Sequence, residues 1–195
     1  MPKRFGLLAA TAATAIALGF AGTGASTGAP MTAEKTVQVG GTAMYPSKNI
    51  IQNAVNSKDH TTLVAAVKAA GLVDTLLGAG PFTVFAPTNE AFAKLPAGTV
   101  DNLVKPENKA TLAKILTFHV VAGRHTAPAL MKEVKNGGGM AKLKTVEGEE
   151  LVVKQAGPGK LSVTDRKGAV SMITIADVLQ SNGVIHVVDT VLMPM

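Results

Sequence analysis

Two histidines stand where an imidazole could do chemistry. His119 and His186 each fall inside an apolar run, Phe118-His119-Val120-Val121 and Val184-Ile185-His186-Val187-Val188. An imidazole there can be a metal ligand, a general base or a hydrogen-bond hub. Two nitrogens alone leave a metal site incomplete, since a closed zinc site takes four ligands and a catalytic one three plus water. No HxH or HExxH spacing supplies the rest, and the chain has no Cys. That excludes thiolate-bound zinc, iron–sulfur clusters, disulfides and thiol catalysis. The residues therefore predict two strand-borne imidazoles satisfied by backbone groups or a nearby carboxylate, with no metal and no cofactor. The alternative is a periplasmic small-ligand or metal-binding protein that uses both rings in a core pocket. His60 and His125 lie beside turns and are expected at the surface.

Other chemistries have less to stand on. Ser162, Ser171 and Ser181 occur in no GxSxG elbow. Asn136-Gly137-Gly138-Gly139 lacks the Lys-Ser/Thr and the helix of a phosphate loop. Glu147-Gly148-Glu149-Glu150 reads as a solvated hairpin tip. No enzyme is predicted. Basic residues thicken from Lys132 through Lys135, Lys142, Lys144, Lys154 and Lys160 to Arg166 and Lys167, with Glu133 and Asp165 among the acids that dilute them. Lys142 and Lys144 alternate on one strand and so share a face. They either guard an edge strand or form a patch for anionic polysaccharide or lipid headgroups. Nucleic acid is not an expected partner, because no aromatics are interleaved with these bases.

These groups must be positioned by a chain whose pattern changes halfway. Ser47 is the expected N-cap of a helix carrying Ile50, Ile51, Ala54 and Val55. A second helix starts at Thr61 or Thr62 and ends at Gly71. A short turn spans 72–77. Strand 82–86 is stopped by Pro87-Thr88-Asn89, and Thr88 caps a short helix with Phe92. Helical turns follow at 100–104 and after Pro106, the latter burying Leu112, Ile115 and Leu116. A strand is predicted at 118–121 and a helical turn at 130–134. From Met140 on the period is two, with strands at 141–146, 151–154, 160–164, 169–175 and 184–188 separated by Gly-bearing turns. Asn182-Gly183 is expected to need positive φ in a hairpin turn. Helices first and strands later make the class α+β, with an antiparallel sandwich or meander. Phe82, Phe85, Phe92 and Phe118 place the core in block 82–118, at about 150–250 Å² of buried surface each.

The composition agrees with one folded, exported domain. Of 195 residues, 47% are hydrophobic and 16% charged, which excludes a charged disordered tail. Lys3 and Arg4 precede the apolar run 5–20 and a small-residue zone, the pattern of a secretory signal cleaved after Ala25. The expected plan is a signal at 1–25, an extended arm at 26–44 and one domain at 45–195. Two of the charges behind the formal +6 belong to the signal. The run is short of a membrane span, so no stable insertion is expected after cleavage, and no Cys is present for a lipid anchor.

Three ordered blocks carry a family resemblance. Phe82-Thr83-Val84-Phe85-Ala86-Pro87-Thr88-Asn89-Glu90-Ala91-Phe92 resembles the first signature block of fasciclin-like domains. Phe118-His119-Val120-Val121 is similar to their central Tyr-His block, with Phe for Tyr. Asn182-Gly183-Val184-Ile185-His186-Val187-Val188-Asp189 resembles the closing block. The resemblance runs from Tyr45 to Pro194 and extends to the exported, single-domain bacterial members, secreted mycobacterial antigens among them. It implies a wedge-shaped β-sandwich of about seven mostly antiparallel strands, with short helices from the first half packed at one side. It also implies a periplasmic or secreted, non-enzymatic adhesion module, expected as a monomer, whose partner is an extracellular or envelope protein or polysaccharide. The family's cell-binding motifs fall on Phe118-His119 and on Asp177-Val178-Leu179, where Val replaces Ile. The remaining motif residues, including Asn89, Asn182, His186 and Asp189, read as fold determinants.

Overall fold

The computed structural model describes residues 36–195. The signal at 1–25 and the first part of the predicted arm lie outside the described residues. Where the rest of that arm was expected, residues Val37–Val39 (β1) and Thr42–Met44 (β2) form an antiparallel hairpin. Val39 and Met44 are buried in it, and those two apolar anchors fold a segment whose Gly/Thr/Ala content reads as extended.

Helix α1 spans Ile50–Ala54 and is capped by Asn49, not Ser47. The Gln52 amide donates to Asn49 Oδ1 at 2.8 Å, and the Asn49 amide donates to Gln52 Oε1 at 3.1 Å, a capping box that Ser47 is too far upstream to make. Helix α2 (Thr61–Ala70) ends at Gly71 with φ 72°, a left-handed position where a side chain would be strained. Helix α3 (Val73–Leu77) precedes strand β3 (Phe82–Pro87). Thr88 caps α4 (Asn89–Ala93), its Oγ1 accepting from the Ala91 amide at 3.2 Å. Helix α5 (Thr99–Leu103) and a 3₁₀ turn at Pro106–Asn108 lead into α6 (Lys109–Phe118).

The strand predicted at 118–121 is displaced. Phe118 is the last residue of α6, His119 caps its C-terminus, and strand β4 begins later, at Val120–Ala122. A short apolar run does not distinguish a helix end from a strand. His119 continues the buried face of Leu112, Ile115 and Leu116, while Phe118 is buried against a different set of residues. The weak turn at 130–134 is the centre of a full helix, α7 (Ala127–Asn136). The second half then supplies β5 (Met140–Lys144), β6 (Glu150–Gly157), β7 (Lys160–Thr164), β8 (Val170–Gln180) and β9 (Gly183–Val188).

Seven strands form one mixed sheet in the order β4-β3-β9-β8-β7-β6-β5. All neighbours are antiparallel except β3 and β9, which run parallel. The sheet folds over until its two ends meet, through the Val121–Thr145 bridge and the Val146 amide donating to the Val120 carbonyl at 2.8 Å. β3 and β9 are buried on both faces, as parallel strands generally are. Val84, Ile185 and Val187 face a core shared with α2, α4 and α6, while Phe85 and Val188 face a second core with Phe118, α7 and β5–β7. The aromatic block thus divides: Phe92 belongs to the first core, Phe85 and Phe118 to the second, and Phe82 is half-buried.

Gly183 answers to a different constraint than the turn predicted for it. Its φ is not positive. Instead a Cβ there would lie 2.1 Å from the Phe82 carbonyl oxygen, so the close approach of β3 and β9 admits only glycine.

Candidate functional site

The two core histidines hold opposite tautomers. His186 lies on β9 and is fully buried. The Asp177 amide donates to its Nδ1 at 3.3 Å, so Nε2 carries the proton and donates to the His125 carbonyl at 2.7 Å. His119 sits at the end of α6, not on a strand. The Leu192 amide donates to its Nε2 at 3.0 Å, so Nδ1–H donates to the Ile115 carbonyl at 2.8 Å. Phe85 stacks on His186 with ring centres 5.7 Å apart, and Phe118 meets His119 edge-on. Burial pushes both rings below the usual histidine pKa, His119 to about 4. Backbone carbonyls and the carboxylates Asp165 (for His119) and Asp177 (for His186) oppose the shift without overcoming it. Each ring is neutral with one nitrogen donating and the other accepting. Neither has a lone pair left for a metal, and the described residues hold no converging group of three or more His, Asp or Glu side chains that could bind one.

His60, expected at the surface, is 3% exposed. The signal that places it was helical phase: His60, Leu63, Val67 and Ala70 fall on one buried face. Ser57 Oγ lies 2.9 Å from Nδ1, but Nε2 makes no hydrogen bond. Burial lowers its pKa, against weaker opposing effects of the Ala86 carbonyl and Asp59. His125 is half-buried and pairs with Glu133 at 3.4 Å.

The residues of the family's cell-binding motifs lie mostly inside. Phe118, His119 and Val178 are buried, and only Leu179 and part of Asp177 reach solvent. Asp177 sits in an irregular stretch of β8 with φ 56°, and its Oδ1 accepts from the Ala127 amide at 2.6 Å. It thereby caps α7 from across the fold, where Thr126 makes no side-chain cap.

The other motif residues are staples. Asn89 accepts from the Thr62 amide at 3.0 Å and donates to the Lys58 carbonyl at 2.8 Å, closing the start of α2. Asn182 accepts from the Ile50 amide at 3.1 Å and donates to the Leu76 carbonyl at 2.7 Å, so it holds α1 and α3 to the β8–β9 turn. Pro87 is buried at the end of β3. Asp189 accepts from the Met172 amide at 2.9 Å and lies 3.7 Å from Lys94. Burial would raise its pKa, but these partners and the hydroxyls of Thr190 and Ser171 hold it below the usual value. Asp165 was not singled out by its sequence, yet it is buried and accepts from the Ala169 and Met193 amides.

What remains open is a sheet face. The registers of β5, β6, β7 and β8 align two rows of outward side chains, Met140-Lys154-Ser162-Met172 and Lys142-Val152-Thr164-Val170. Lys144 and Glu150 lie beside them. α7 packs on the opposite, inner face through Leu130 and Val134. The outward residues are exposed or half-exposed, Ser162 excepted. Lys142 pairs with Glu150 at 3.6 Å. The expected solvated tip is partly buried instead: Lys114 bridges Glu147 and Glu149 at 3.6 Å, and the Met195 amide donates to Glu149.

The chain matches the family described as Fasciclin domain over residues 58–194. It is 47% identical over 165 residues to "Protein sll1483" of Synechocystis sp., covering 84% of this chain and 83% of that one. It is 38% identical over 146 residues to "Immunogenic protein MPB70" of Mycobacterium bovis, covering 72% of this chain and 66% of that one. Its fold matches the FAS1 domain pair of the insect cell adhesion molecule Fasciclin I with a TM-score of 0.68 at 20% identity, over 76% of this chain and 52% of that one.

Proposed function

The chain belongs to the fasciclin domain family, and from that premise we propose that it is an exported, non-enzymatic interaction module that binds proteins or glycans at the cell surface or in the periplasm. One observation carries the reading: the side chains with the most chemistry are consumed by the fold, while the β5–β8 face is left uncovered. His119 and His186 spend both ring nitrogens on backbone partners, and Asp177 and Asp189 each accept from a backbone amide. Ser171 does likewise, donating to the Thr190 carbonyl at 2.8 Å. The open face offers Lys142, Lys144 and Lys154 against one acid, Glu150, so its partner is acidic. Among the described residues no helix is long and apolar enough to cross a membrane.

The test is retention of the purified domain on envelope material and on isolated acidic polysaccharide. Wild type is expected to bind and to be released by high salt, which screens exposed charges. The triple variant Lys142→Glu/Lys144→Glu/Lys154→Glu is expected to bind about tenfold more weakly. Equal retention of the two proteins would remove the face from the proposal, and absence of any retention would remove the function. N-terminal sequencing of the exported protein checks removal of residues 1–25.

A further inference from the structure

The two ends of the sheet meet at one point and then part. β5 is the last strand and pairs along its length with β6 alone. Hydrogen-bonded and non-bonded positions alternate along such a hairpin. The Thr145 amide donates to the Glu149 carbonyl at 2.9 Å, so Leu143 and Ala141 are the other positions that bond β6. Lys142 and Lys144 turn their N–H and C=O groups the opposite way, as Val146 does where its amide meets the Val120 carbonyl. β4 reaches β5 only at Thr145. It stops at Ala122, and the Gly123 amide already donates to the Pro81 carbonyl at 2.9 Å, on the β3 side. Beyond that bridge the edge of β5 has no strand beside it among the described residues.

A helix borders the gap instead. Glu133, Asn136 and Gly137 at the end of α7 and Met140, Ala141 and Lys142 of β5 bound a groove of about 580 Å³. An unpaired edge is a template for an added strand, in which main-chain bonds supply affinity and alternate side chains supply specificity. Met140, Lys142 and Lys144 are the exposed residues of β5, so an added strand sets every second residue beside the lysines. Lys142 is engaged by Glu150 at 3.6 Å, and Lys144 has no ion pair among the described residues. A second copy of this chain is a poor occupant. Antiparallel pairing of two β5 edges about Lys142 would set two Lys142 side chains face to face, and like charges directly opposite are destabilising. Edge lysines guard against such pairing. Acidic residues make the same contacts favourable.

We propose that the β5 edge binds a short, extended, acidic segment of a partner protein as an additional strand, with carboxylates at alternate positions beside Lys142 and Lys144. The strand adds antiparallel, the direction in which β4 already meets this edge. The proposal rests on the acidic partner assigned above to these lysines and goes beyond it in making the contact through the main chain.

The probe is acetyl-Thr-Glu-Thr-Glu-Thr-amide, titrated into the isotope-labelled full chain while backbone amide shifts and hydrogen exchange are followed by NMR. Saturable shifts at Lys142 and Lys144 and slowed exchange of the Lys142 amide are expected. Methylating the two Glu nitrogens of the peptide keeps its charge but removes the N–H groups that face β5, and should weaken binding at least about tenfold. Methylating the central and last Thr nitrogens, which face away from β5, should change it by less than about twofold. Lys142→Gln/Lys144→Gln should bind the unmethylated peptide about fivefold more weakly. Equal binding by the two methylated peptides overturns strand addition and leaves the acidic partner standing, because charge alone then suffices. Absence of saturable shifts with the unmethylated peptide also overturns strand addition, and retention on acidic polysaccharide decides the wider reading separately.

Discussion

The Asp177 amide donates to His186 Nδ1 at 3.3 Å, and the same ring donates through Nε2 to the His125 carbonyl at 2.7 Å. One imidazole thus joins the irregular part of β8 to the loop that starts α7. His186→Leu fills the space but strands a buried N–H and a buried carbonyl. Each orphan costs about 1–3 kcal/mol, so the variant is expected to lose about 3 kcal/mol in urea unfolding. His186→Gln, which can restore one of the two bonds, should lose less. Equal losses for the two variants would mean that ring packing on Phe85, not hydrogen bonding, sets the cost.

The buried histidines make stability depend on pH. His119 titrates near 6.5 when unfolded and at about 4 when folded. Between those values the unfolded chain binds the extra proton, so stability is full above pH 6.5 and falls as pH drops toward 4. A shift of that size corresponds to about 3 kcal/mol. His60 and His186 shift the same way and add to the slope. His119→Gln keeps a donor and an acceptor but cannot titrate, so its stability should fall less steeply over that window. A wild-type profile flat from pH 7 to 4 would contradict the burial of these rings.

The contact at Gly183 is backbone against backbone and cannot relax by a rotamer change. Gly183→Ala would push its Cβ into the Phe82 carbonyl and part the β3–β9 pair. Overpacking of this kind costs about 1–3 kcal/mol or more, and the upper end is expected in chemical denaturation. Gly157→Ala, where a Cβ meets nothing within 4 Å, should stay within about 0.5 kcal/mol of wild type.

Features set by neighbours in sequence were legible before the fold was known. Gly71 ends α2, Thr88 caps α4, and β7 occupies 160–164, because each depends on residues a few positions away. What was not legible depends on distant partners. The fate of 118–121 turned on where α6 exhausts its buried face. Asn182 and Asp177 cap helices more than forty residues away, which no local pattern encodes. Asn182-Gly183 was the right place with the wrong reason, since the parallel partner that crowds Gly183 is β3. The candidate site divides the same way. Alternation put Lys142 and Lys144 on one face, but only the register brings Lys154 alongside them. His60 was misplaced because its neighbouring turn outweighed the helical phase it begins.

β9 lies between β3 and β8, in the interior of the sheet, yet it comes from residues 183–188 of 195. Until that strand arrives, β3 has only the three-residue β4 beside it, and α1 lacks the Asn182 tether on its first turn. The order of synthesis therefore runs against the order of assembly. The two parts of the sheet, β4-β3 and β8-β7-β6-β5, are paired into one only by a strand made almost last, so nascent chains that stop before residue 183 should remain protease-sensitive. Such a polypeptide holds two unjoined parts of one sheet until its final strand is made.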